Sequence, residues 1–126
     1  MGVTSAGKAE LAGLAGNTGS CTAFTYLELG DGSTAFAVGQ TALVSAITGN
    51  GLARAAATVS RTTTNVANDT LRLTKTWTAT GSETIREAGV FNASSSGDML
   101  ARTVLDTARA LSNGSSYTYT YDTIFA

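Results

Sequence analysis

The stretch TIREAGVFNASSSGDMLAR, residues 84–102, sets the fold class. Two runs of β-formers flank ASSSGD, whose Ser and Gly residues supply turn chemistry, so the stretch reads as an antiparallel hairpin. Strict alternation puts Glu87 on one face with Ile85 and Phe91. A carboxylate there is unfavourable unless an opposite charge or several donors meet it. Arg54 and Arg102 lie on segments that could sit beside it, so an ion pair of Glu87 with Arg54 or Arg102 is expected. Gly89, two residues on, suggests a bulge or the close approach of another chain's backbone.

Working outward, the same period of two recurs. In LRLTKTWTA, Leu71, Leu73 and Trp77 face one way and Arg72, Thr74, Thr76 and Thr78 the other, with Lys75 the single exception on the apolar side. GLARAAATVSR reads as its antiparallel neighbour across the Asn/Asp-rich TTNVAND turn. AFTYLELG, residues 23–30, is a further strand, closed by the turn GDGS. SYTYTYDTIFA is a last strand, with Tyr117, Tyr119 and Tyr121 on one face. QTALVSAI carries Ala42, Leu43, Ala46 and Ile47 at helical spacing and predicts one or two turns of helix. The expected fold is mainly β, an antiparallel β-sandwich or barrel-like domain with one short helix. No proline interrupts these strands.

The first 22 residues differ in kind: Gly, Ala and Ser predominate, and few large hydrophobes are present. They read as an extended N-terminal arm (1–22) attached to a single β-rich domain (23–126). In the arm Leu11 and Leu14, at helical spacing, are the candidate partner-binding residues.

Composition narrows the function. With 126 residues, 43% of them hydrophobic and only 13% charged, the chain builds one core under a bland surface, which suggests that much of that surface meets protein. A net charge of −1 supplies no basic footprint for nucleic acid or anionic lipid, so neither is an expected partner. No apolar run reaches membrane-spanning length, and the N-terminus has no continuous apolar signal core, so the chain is expected to be cytosolic where it is made. The single cysteine, Cys21, reads as a small thiol without a disulfide. Without histidine the chain lacks the commonest general base and the commonest metal ligand. The acidic residues are scattered and no phosphate-cradling motif occurs, so no enzyme activity, catalytic residue, cofactor or metal is expected.

YLELGDGSTAFAVGQTALVSAI, GLARAAATVS and TIREAGVFNASSSGDMLAR, in that order, resemble a module of small structural proteins of tailed bacteriophages, also seen at the N-terminus of phage tail-fibre and tail-collar proteins. The resemblance covers about residues 23–105 and is most specific in REAGVFN followed by GDMLAR. It implies a non-enzymatic virion structural protein. Because the chain stops about twenty residues after the module, the resemblance suits a capsid decoration (cement) protein on the head surface, bound to the major capsid protein or other virion proteins. A homotrimer is implied by the same likeness. The alternatives are a tail-fibre, baseplate or tail adaptor protein and, from another class, a small carbohydrate-binding β-sandwich using Trp77 and the Tyr face.

Overall fold

The computed structural model describes residues 2–125. Its chain order is β1 (Gly2–Val3), α1 (Ser5–Gly16), β2 (Tyr26–Gly30), β3 (Ala55–Ala56), β4 (Thr58–Thr62), β5 (Thr70–Thr78), β6 (Glu83–Phe91), β7 (Met99–Leu111) and β8 (Ser116–Ile124). Two antiparallel sheets form a sandwich-like fold, one of five strands in the order β1-β7-β6-β2-β3 and one of three in the order β4-β5-β8. The quoted hairpin becomes β6 and β7 at the centre of the larger sheet. The clear alternation of LRLTKTWT becomes β5 at the centre of the smaller one.

The facing sides of the sheets are apolar because each strand's period of two delivers one such row. Leu27, Leu29, Ile85, Ala88, Val90 and Ala101 from the larger sheet meet Leu73, Trp77, Tyr117 and Tyr121 from the smaller. The Trp77 indole N–H donates to the Ala53 carbonyl at 3.0 Å, which satisfies its one polar atom inside the core. Trp77, Tyr117 and Tyr121 are buried and Tyr119 half-buried, so this aromatic row is core rather than an open platform for a sugar.

Ile85 and Glu87 do not share a face. The pairing of β6 with β7 jumps from Ile85↔Arg109 to Glu87↔Val104, and this irregularity reverses the alternation. Ile85 enters the sandwich core, whereas Glu87, Gly89 and Phe91 line the opposite, outer side of the five-stranded sheet. Gly89 itself is regularly paired. What approaches it is the Leu43 side chain, since a Cβ at Gly89 would lie 2.8 Å from Leu43 Cδ2.

The helix also lies elsewhere than expected. Residues 40–47 are loop, held by Asp31 N–H to the Ser45 carbonyl (2.8 Å), Ile47 N–H to the Leu29 carbonyl (3.0 Å) and an isolated bridge between Gly30 and Ala46. The helix is α1, inside the segment read as an extended arm. Thr4 caps it by accepting from Gly7 N–H, and Asn17, with φ 51°, closes it in the left-handed conformation. Its small residues permit close packing: Gly7 lies against the Leu100 backbone, where a Cβ would sit 2.7 Å from the Leu100 Cα. Leu11 and Leu14, expected to await a partner, are half-buried against the chain's own core. β1 pairs with β7, and Thr4, fully buried, donates its N–H to the Leu100 carbonyl at 2.9 Å and its hydroxyl to the Met99 carbonyl.

Candidate functional site

The outer side of the five-stranded sheet carries charge where a sheet covered by protein would ordinarily carry apolar groups. Three rows cross its central strands: Gly30–Glu87–Val104, Glu28–Gly89–Arg102 and Tyr26–Phe91–Met99. Glu87 and Arg102 occupy diagonal positions on either side of Gly89, and both are 0% exposed.

Glu87 accepts four hydrogen bonds. Oε1 takes Arg102 Nε (2.7 Å) and Val44 N–H (2.9 Å), and Oε2 takes Gly32 N–H (2.8 Å) and Ser45 N–H (2.8 Å). Burial alone pushes the carboxyl upward, but the guanidinium and the backbone N–H groups outweigh it and hold Glu87 below the usual glutamate range. Arg102 continues outward through Nη1 to the Thr34 carbonyl (2.8 Å) and Gln40 Oε1 (3.3 Å), while its buried Nη2 has no partner among the described residues. Through these two side chains the sheet holds the loop 31–47 by its backbone.

Ile47 N–H, which a helix would direct to the Leu43 carbonyl, donates to the Leu29 carbonyl instead, so residues 42–47 are not helical. The buried carboxylate takes the N–H groups of Val44 and Ser45. It explains the glycines of LGDG as well: a Cβ at Gly30 would lie 2.6 Å from Glu87 Cγ and Oε2, and a Cβ at Gly32 would lie 2.7 Å from Val44 Cβ. These glycines are required by the close approach of the chain's own Glu87 carboxylate, not by a turn of special handedness.

Arg54, the other candidate partner of Glu87, pairs instead with Glu28 at 3.1 Å on the same side of the sheet. Its Nη1 donates to the carbonyls of Ala93 (3.1 Å) and Ser96 (2.8 Å), and its guanidinium lies over the Phe91 ring, 3.6 Å from the centroid. Arg54 thereby ties the β6–β7 loop to the sheet as Arg102 ties the loop 31–47. Glu28 is the functional residue that alternation could have found, because it interrupts Leu27 and Leu29 on the face away from the core. The backbone donors Gly32, Val44 and Ser45 leave no mark on the sequence. Two further pairs lie nearer the surface, Arg86 with Asp31 and Arg72 with Asp122 (2.8 Å), and the latter's hydrogen bond lowers the Asp122 carboxyl.

Chemically this is an anchoring site. Every Glu87 oxygen is engaged by two donors and closed to solvent. Among the described residues no group of three or more His, Cys, Asp or Glu side chains could hold a metal ion. A cleft of about 410 Å³ opens at the C-terminal end of α1, lined by Gly13, Leu14 and residues 17–21. Cys21 in it donates to the Thr18 carbonyl at 3.4 Å, and burial and Glu10 raise its thiol above the ordinary value, which disfavours the reactive thiolate. In comparison with known proteins, no family model matches the chain and no curated protein is significantly similar to it.

Proposed function

We propose that the chain is a non-enzymatic structural protein of a tailed-phage virion that decorates the assembled head. The observation that carries this reading is the convergence of the motifs on which the resemblance rests. LGDG contributes Gly30 and Gly32, TALVS contributes Leu43, Val44 and Ser45, REAGVF contributes Glu87, Gly89 and Phe91, and GDMLAR contributes Met99 and Arg102. Residues spread over some seventy positions of sequence are thus one buried assembly. The likeness therefore lies in what holds the fold together.

The surface suits such a role. The loop that Glu87 and Arg102 fix is free of charged side chains from residue 32 to residue 53 and exposes Val38 and Val44. A loop held by its backbone keeps its outward side chains in one arrangement, which lowers the ordering entropy of binding. Binding that requires several assembled capsid subunits would favour the closed shell by mass action, with no chemical step. A homotrimer fits the same reading, since closed cyclic oligomers match the symmetry of lattice junctions.

The test is to separate heads and tails of particles produced from the genome that encodes the chain and to probe each fraction with antibody. The chain is expected with the heads, and heads stripped of it should release DNA at lower temperature and recover when it is added back. Its presence only with tails, or with neither fraction, overturns the proposal.

A further inference from the structure

β4 is an anomaly in a fold otherwise well covered. It stands at the end of the three-stranded sheet, and Thr58, Val59, Ser60 and Arg61 are all exposed, so neither of its faces is covered. Val59, which pairs with the core residue Leu73 and shares its side of the sheet, is 43% exposed. β8 at the other end is different: Tyr117 and Tyr121 are buried, and Tyr119 donates its hydroxyl to Thr103 of the other sheet at 3.0 Å. Proteins commonly blunt an edge strand with proline, a bulge, an inward charge or a covering loop, because its free N–H and C=O groups can pair with another strand. β4 has no proline, and its register with β5 runs unbroken from Thr58↔Thr74 to Thr62↔Thr70; its one charge on the inner side, Arg61 opposite Leu71, is exposed.

We propose that the free edge of β4 pairs with β4 of a second copy of this chain, antiparallel about a two-fold axis through Ser60. The side chains select both the occupant and the register. Centred on Ser60, the pairing sets Ser60 opposite Ser60 and Thr58 opposite Thr62, so hydroxyls meet hydroxyls on the outer face. The same sheet already uses that chemistry, in the hydroxyl pairs Thr74–Thr120 (3.4 Å) and Thr76–Thr118 (2.7 Å). On the inner face Val59 of each copy lies opposite Arg61 of the other, whose aliphatic stem covers it while the guanidinium reaches solvent. Centring on Arg61 would set two guanidiniums directly opposite, which is unfavourable. Centring on Val59 would shorten the overlap. The result is a continuous six-stranded sheet across two copies, joined by an isologous contact. The contact does not rest on the virion reading, and it leaves other surfaces free for association about other axes.

The experiment uses the full chain with Cys21→Ser to remove the native thiol, adding Ser60→Cys in one protein and Thr76→Cys, an exposed position on the central strand, in another. Ser60→Cys is expected to form a disulfide-linked dimer under mild oxidation roughly tenfold faster than Thr76→Cys, because pairing raises the effective concentration of the two thiols. Adding Val59→Lys to the Ser60→Cys protein should slow the cross-link to the Thr76→Cys rate while the melting curve keeps its midpoint. In light scattering, wild type should show association that grows with concentration and that Val59→Lys weakens. Equal cross-linking by the two cysteine proteins, or a wild-type mass that stays at 12.7 kDa at millimolar concentration, overturns the proposal.

Discussion

Arg102 reaches diagonally across the β6–β7 hairpin to Glu87, Nε to Oε1 at 2.7 Å, and both side chains are fully closed to solvent. A buried pair of this kind is weak evidence for stability by itself, because desolvation of both ions offsets much of their attraction. Here its consequence is positional. Three backbone N–H groups and one backbone carbonyl of a loop without helix or strand are satisfied by these two side chains.

Removing one partner should be far more damaging than the pair's net contribution suggests. Glu87→Gln leaves the Arg102 guanidinium buried without a counter-charge and is expected to destabilise the fold by about 3 kcal/mol. Glu87→Gln combined with Arg102→Met should be less destabilised than the sum of the two single variants, as expected for residues in one network. Urea unfolding of the four proteins measures this coupling, and additive effects would sink it.

Acid should release the same site. The Glu87 carboxyl is held below its ordinary range, so its contribution is present above the unfolded value of about 4.3 and is lost as pH falls through the folded value. Asp69, whose carboxylate accepts backbone N–H groups of Val66, Thr64 and Asn65, and Asp122 are lowered too and add to the slope. Wild type should therefore lose stability from about pH 4 downward, and Glu87→Gln should lose it less steeply. Parallel pH profiles for the two proteins would show that Glu87 does not titrate as described.

The LGDG glycines offer a steric test. Gly30→Ala forces a methyl against the Glu87 carboxylate and should destabilise the chain by about 2 kcal/mol, in the range of overpacking. Gly39→Ala, in the same loop but with nothing within 4 Å of the added carbon, should shift the midpoint of thermal unfolding only slightly. Similar midpoints for both variants would contradict the close approach.

At the N-terminus, Thr4→Ala removes the cap of α1 and the buried hydroxyl bond to Met99, and a loss of about 1 to 2 kcal/mol is expected. Deleting residues 2–16 should lower the melting temperature markedly, because β1 pairs with β7 and Leu11 and Leu14 pack on the core. A deletion that melts as wild type does would mean that these contacts contribute nothing.

The sequence by itself determined the strands and the sandwich-like class. Alternation in LRLTKTWT and SYTYTY is a local signal, and each of these stretches buries the face that its pattern presents, whereas REAGVF is buried on both faces. The sequence also marked Glu87 as a residue in need of a partner and narrowed the partner to two arginines. Only the tertiary structure decided between Arg102 and Arg54, because diagonal neighbours on paired strands depend on register, and the register carries an irregularity after Ile85 that no side chain announces. The helical spacing of Ala42, Leu43, Ala46 and Ile47 lost to contacts from distant segments: Glu87 takes the N–H groups of Val44 and Ser45, and Ile47 N–H, which a helix would direct to Leu43, donates to Leu29. Conversely SAGKAELAGLAG, poor in large hydrophobes, packs as α1 where Gly7 lets it lie directly against the Leu100 backbone of β7, a gain that exists only once β7 is in place. Local pattern fixes which face of a strand is apolar; which buried charge meets which donor is decided by contacts between segments distant in sequence.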